Sequence, residues 1–134
     1  MMKPHLQVVA GIVWRDGLYL AVQRPEGSRM AGWWEFPGGK VEEGEFRDAA
    51  LVREFQEELN ITPTEFEYWR NIEHEYDEFS VCLYFYHIHS YSGQLSMLEK
   101  QQFAWVNPSR TPTLNYLPAD IAIVEALHSR YQND

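Results

Sequence analysis

Three carboxylates, Glu54, Glu57 and Glu58, are spaced so that any helix carrying them gathers them on one flank. At ~100° per residue they fall within an arc of roughly 100°. Like charges at i,i+3 and i,i+4 repel and weaken an isolated helix, so the cluster calls for a cation. Hard oxygen donors suit Mg²⁺ or Mn²⁺, and paired ions of this kind serve phosphate chemistry. A plain solvated acidic face is the alternative that the three residues alone leave open.

The element that must position them is a helix predicted over 47–59, where Leu51, Val52, Phe55 and Leu59 make one apolar stripe. Asn60, a residue that tolerates the left-handed conformation, stops it, and Pro63 marks the break. Upstream, 6–14 and 18–24 read as strands joined by an Asp16-Gly17 hairpin turn. Residues 25–32 form a loop. A short strand at 33–36 then runs into a sharp Pro37-Gly38-Gly39 turn, where backbone can approach a ligand closely. Downstream, 66–74 and 80–89 look like paired strands, 91–100 a loop, and 103–106 another short strand. A closing helix over 118–130 should face Ile121, Val124 and Leu127 inward. This order predicts an α/β mixture around a mixed sheet, with the two helices covering its two faces.

Composition narrows the rest. The chain of 134 residues, 45% apolar and 23% charged, predicts one globular domain over 1–134. A net charge of −9 argues against a nucleic-acid backbone as partner, whereas an anionic small substrate can still bind beside metal ions. The single cysteine, Cys82, excludes an intrachain disulfide and fits a reducing cytoplasm as a buried inert thiol. No apolar run approaches the ~18 residues of a membrane span. His87 and His89 share one strand face but lack a third ligand at zinc spacing. Monomer and dimer remain open.

The stretch from Gly39 to Ile61 resembles the signature of the Nudix hydrolases, G-x5-E-x7-R-E-U-x-E-E-x-G-U with U a bulky apolar residue. Gly39, Glu45, Arg53, Glu54, Phe55, Glu57, Glu58 and Ile61 meet it. Asn60 replaces the family's second Gly, a mild exchange because both residues reach the left-handed conformation. The opening hairpin, the EFPGGK turn and a PAD-type start of the last helix resemble the MutT-like branch. That branch includes 8-oxo-dGTP diphosphatases and CTP pyrophosphohydrolases.

The resemblance implies the Nudix fold, an α+β arrangement whose mixed sheet lies between helices as an α/β/α sandwich. It also implies metal-dependent cleavage of a nucleoside triphosphate to the monophosphate and pyrophosphate. By position, Glu54, Glu57 and Glu58 would bind metal, with the Gly39 carbonyl and Glu99. Glu54 is the first choice for general base, with Glu99 or Glu58 as alternatives. Arg53 would orient Glu57 one turn on by an ion pair. Glu45 would hold loop geometry through the helix N-terminus, Gly38 is structural, and Lys40 and Arg24 are candidate phosphate contacts.

The base-reading positions depart from the 8-oxo-dGTP pattern, which carries an Asn at the start of the last helix and an Arg on a mid-sheet strand. Asp120 and Phe79 stand there instead. A carboxylate accepts hydrogen bonds from a cytosine amino group or from the N1–H and N2–H₂ edge of guanine, and a buried protonated one also donates. The expected substrate is therefore a pyrimidine or modified (d)NTP such as (d)CTP, with 8-oxo-dGTP the alternative.

Overall fold

Strand β1 (His5–Arg15) is the axis of the sheet. Its run Val-Val-Ala-Gly-Ile-Val is apolar without alternation because both of its faces are covered. Val9 and Val13 point to one helix, Ala10 and Ile12 to the other. The computed structural model describes residues 3–131.

At Asp16 and Gly17, with φ of 52° and 80°, the chain reverses into β2 (Leu18–Gln23), the two positive angles matching the strand twist of a tight hairpin. β3 (Trp34–Glu35) pairs with β2, and β4 (Gly38–Lys40) pairs antiparallel with the middle of β1. The expected sharp turn at Gly38-Gly39 is thus a short strand. After helix α1 (Arg47–Leu59) come the long hairpin β5 (Ile61–Glu75) and β6 (Ser80–Gly93), then β7 (Phe103–Val106) and helix α2 (Pro118–Tyr131). β6 runs parallel to β1 from one side and antiparallel to β5 on the other, so the sheet is mixed, in the order β3-β2-β1-β6-β5. β7 pairs with β2.

α1 occupies its expected bounds and ends at Asn60, whose φ of 61° and ψ of 27° are left-handed. Phe55, Leu51 and Leu59 are fully buried against Val9, Val13, Leu20 and Ile88. Burying a side chain of the Phe55 type contributes about 2–3 kcal/mol, which seats the helix and fixes the flank that carries its glutamates. α2 packs Ile123, Val124 and Leu127 on Ala10, Ile12, Phe36 and Phe85 across the sheet.

Two expectations need correction. Ile121 is 45% exposed, and Ile123 takes the inward place assigned to it. β5 and β6 are longer than predicted, so the loop expected from 91 begins only after Gly93. Pro63 does stand beyond the end of α1, inside β5, where a register shift beside it accommodates its missing N–H.

Candidate active site

Arg53 organises the α1 flank. Its Nε and Nη2 donate to both oxygens of Glu45, at 2.8 and 2.9 Å, and Nη2 also donates to the Lys40 carbonyl at 2.9 Å. Nη1 donates to Glu54 at 3.0 Å and, at a long 3.4 Å, to Glu57. The i,i+4 partner foreseen from spacing is therefore the weakest contact of the set. Glu45 acts otherwise than expected as well. Its Oε1 accepts the Glu42 N–H at 2.9 Å, so it ties the 40–46 loop to Arg53 rather than to the helix N-terminus. Those hydrogen bonds, from Arg53 first, hold the Glu45 carboxyl down at about 2.

The carboxylates beside Arg53 differ sharply in burial. Glu57 has a side chain 60% exposed, whereas Glu58 is buried. Burial, followed by the charges of Glu35 and Glu99, pushes Glu58 up to about 8, against one weak bond from the Gly38 N–H at 3.3 Å. Glu54 is also raised, by burial first, with Arg53 pulling the other way. Gly39 lies so close that a Cβ there would overlap the Glu54 carboxylate, and one at Gly38 would overlap the Val9 carbonyl of β1. At Gly38 the clash would be with β1 backbone, so only glycine fits there; at Gly39 the Glu54 side chain would have to move aside.

On the other side of β4 opens a cleft of about 580 Å³. Asp120, Glu35, Arg24, Tyr76 and Phe79 line it, with Gly39 and Lys40 at the end toward α1. Asp120 is 3% exposed, its carboxyl accepts no hydrogen bond among the described residues, and burial raises it well above the usual carboxylate range. Arg24 donates to Glu35 at 3.2 Å, and its Nε to the Arg29 carbonyl. It is thus engaged by protein, whereas no ion pair to Lys40 occurs among the described residues. Phe79 lies under the Arg29 guanidinium, 4.9 Å from the ring centroid.

The fold therefore brings Glu54, Glu58, Gly38 and Gly39 together at one end of the cleft and Arg24, Phe79 and Asp120 at the other. Glu99 is exposed on the loop before β7, yet its charge bears on Glu35, Glu54 and Glu58, so it faces the same region. No three carboxylates converge to metal-coordinating distance among the described residues. Glu54 and Glu57 lean to the Arg53 guanidinium, while Glu58 leans to Gly38. Sequence reasoning missed two residues. Glu35 is half-buried between Glu58 and Asp120, and burial raises its carboxyl against the pull of Arg24. Tyr76 accepts the Ala119 N–H on its hydroxyl at 3.2 Å and so caps the first turn of α2, where Asp120 sits. Alternation along β3 was the available signal for Glu35; Tyr76 had none, because its partner lies 43 positions away.

A buried, partly uncompensated set of oxygen donors, with a glycine strand pressed against one of them, fits a hard divalent cation. The fold is that of a Nudix hydrolase, and the chain belongs to that family: the NUDIX domain model matches residues 8–126. Nudix hydrolases work with a divalent metal ion. The chain is 41% identical over 121 residues to a CTP pyrophosphohydrolase of Escherichia coli K12, covering 90% of each chain. It is 32% identical over 134 residues to an 8-oxo-dGTP diphosphatase of Haemophilus influenzae, covering 99% of this chain and 98% of that one. The solution structure of the E. coli ORF135 protein superposes with a TM-score of 0.81 at 39% identity, covering 95% and 91% of the two chains.

Proposed function

We propose that this protein hydrolyses a nucleoside triphosphate to the monophosphate and pyrophosphate, with a pyrimidine or modified (d)NTP such as (d)CTP preferred. The observation that carries the base preference is the buried Asp120 carboxyl, unpartnered among the described residues, at the end of the cleft away from the carboxylate helix. A carboxyl that lines the cleft and accepts no hydrogen bond from the described residues is free to bond an amino-bearing base edge. The likeness to a CTP pyrophosphohydrolase favours the same class.

Glu54, Glu57, Glu58, Glu99 and the Gly39 carbonyl would hold Mg²⁺ or Mn²⁺. Bound there, the ion neutralises phosphate charge and makes an attacking water more acidic. Glu54 would take the proton of the attacking water, since it lies against Gly39 and Arg53 fixes one of its oxygens. Arg53 keeps loop and helix in register by gripping Glu45 and Lys40 O together. Lys40 offers its ammonium to the phosphates, and Arg24 aligns Glu35 between the two ends of the cleft.

One observation favours the second reading, an 8-oxo-dGTP diphosphatase. Burial biases the Asp120 carboxyl toward its acid form, which would donate as well as accept and so match an oxidised purine edge, and a relative of that name covers nearly the whole chain. Pyrophosphate release from dCTP, 5-methyl-dCTP, dGTP and 8-oxo-dGTP with Mg²⁺ separates the readings. Turnover confined to 8-oxo-dGTP overturns the pyrimidine preference. Glu57→Gln should abolish turnover of every substrate with the fold intact, because it removes an exposed charge and no core contact.

A further inference from the structure

Glu99 poses a geometric problem: an exposed side chain on a loop must hold a defined place beside the carboxylates of α1. The loop is stitched to the helix by backbone bonds, Leu98 N–H to the Glu58 carbonyl at 3.1 Å and Ser96 N–H to the Leu59 carbonyl at 3.0 Å. Lys100, with φ of 58°, then turns the chain left-handed and back toward the sheet. Immediately after it stands Gln101, only 5% exposed, a buried amide in an otherwise polar, solvated segment.

Both ends of that amide are engaged. Its Oε1 accepts the Glu99 N–H at 3.1 Å, and its Nε2 faces Glu58 Oε1 at 3.5 Å. The first contact dictates the second: with the oxygen turned to an N–H, the NH₂ group must point at the carboxylate. The next residue is anchored independently, since the Gln102 carbonyl accepts the Gln23 N–H of β2 at 2.9 Å. Gln101 therefore sits between a fixed strand, the Glu99 backbone and the Glu58 side chain.

We propose that Gln101 is a positioning residue for the hydrolytic reaction, holding the Glu99 loop and the Glu58 carboxylate in register with each other. It touches neither substrate nor the reacting atoms. The inference rests on the proposed function only in giving Glu99 a part in turnover. Partners of this kind that orient ligating carboxylates change activity by about 10- to 100-fold when lost.

Two variants separate its two contacts. Gln101→Leu removes both; Gln101→Glu keeps the acceptor for the Glu99 N–H and puts an acid against Glu58. Amide hydrogen exchange of Glu99, read by NMR on the metal-free protein, reports the loop, and steady-state kinetics report the reaction. Gln101→Leu should lower kcat by about 10- to 100-fold, leave the nucleotide KM within about twofold, and expose the Glu99 amide to exchange. Gln101→Glu should keep that amide protected while kcat still falls. Wild-type kcat in Gln101→Leu overturns the proposal, as does a kcat loss with the Glu99 amide still protected in that variant. Should Gln101→Leu fail to fold, unchanged kcat in Gln101→Glu overturns it. Absence of (d)NTP turnover by the wild-type protein would sink the proposed reaction instead; the exchange comparison then still decides whether Gln101 holds the loop.

Discussion

The α1 flank and the α2 face of the sheet hold their polar groups by opposite means. Around Arg53 on the α1 flank charge is answered by charge: one guanidinium serves Glu45, Glu54 and Glu57, and Glu45 is driven to full ionisation, whereas Glu58 lies beyond its reach. On the α2 face Asp120 and His87 are sunk in the protein with no ionic partner among the described residues, and burial favours the neutral form of each. A flank built on paired charge suits a cation and a polyphosphate, whose electrostatics it can match. Beside the Arg24–Glu35 pair, a carboxyl that burial biases toward its neutral form suits the edge of a nucleobase, where hydrogen-bond pattern rather than charge discriminates. On the proposed reading, chemistry and selectivity would lie at the two ends of one cleft, with β4 and its two glycines between them.

The largest effect expected from breaking this contrast lies on the charged flank. Glu54→Gln keeps size and hydrogen bonding but removes the base, so kcat should fall by about a thousandfold, measured as pyrophosphate release at saturating metal. A variant within tenfold of wild type would move the base to Glu99 or Glu58.

His87 tests the neutral face through stability. It accepts the Trp14 indole N–H at 2.9 Å, packs against Trp69 and His89, and is lowered to about 4 by burial first and then by His89. Its ordinary value is 6.5, so between about 4 and 6.5 the unfolded chain binds the extra proton. Stability from this group is complete above 6.5 and is lost as pH falls toward 4, by as much as about 3 kcal/mol. Urea melts across that window should slope upward with pH in the wild type and lose this contribution to the slope in His87→Phe. Equal slopes in the two proteins would contradict it.

Selectivity comes next in size. Asp120→Asn should cut kcat/KM for the preferred nucleotide by about 10- to 100-fold while poorer substrates change little, measured across the same panel. A uniform loss for all nucleotides would remove Asp120 from base reading. Tyr76→Phe, which removes the acceptor of the Ala119 N–H, sharpens the point: it should blunt the same ratio less severely.

The smallest effect lies in how the helices begin. α2 has Pro118 in its first turn and the Tyr76 hydroxyl on Ala119, whereas α1 starts from Phe46, 84% exposed and without a side-chain cap. Phe46→Ser should add about 1 kcal/mol of stability by supplying that cap, read as a rise in melting temperature. A fall would mean that Phe46 covers surface worth more than the cap.

What was legible before the structure was local. The bounds of α1, its left-handed stop at Asn60 and the hairpin at Asp16-Gly17 follow from periodicity and from residues tolerant of positive φ, interactions that span a few positions. The glutamate flank follows likewise, because 3.6-residue periodicity alone places Glu54, Glu57 and Glu58 side by side. The inward face of α2 was misread at Ile121 because apolar residues stand on several of its sides, and only packing against Phe36 and Phe85 selects Ile123.

The sequence by itself determined the helix and its flank of acids, since both depend on neighbours close along the chain. Tertiary structure alone decided that Arg53 grips Glu45 rather than Glu57, that Glu35 stands between Glu58 and Asp120, that Tyr76 caps α2, and that Gln101 reaches Glu58. The Tyr76 and Gln101 contacts join residues 43 positions apart, and such pairings exist only once the parallel β1–β6 pairing has brought distant loops to one end of the sheet. Spacing along a chain constrains angles about a helix; it carries no information about which loop will fold back against it.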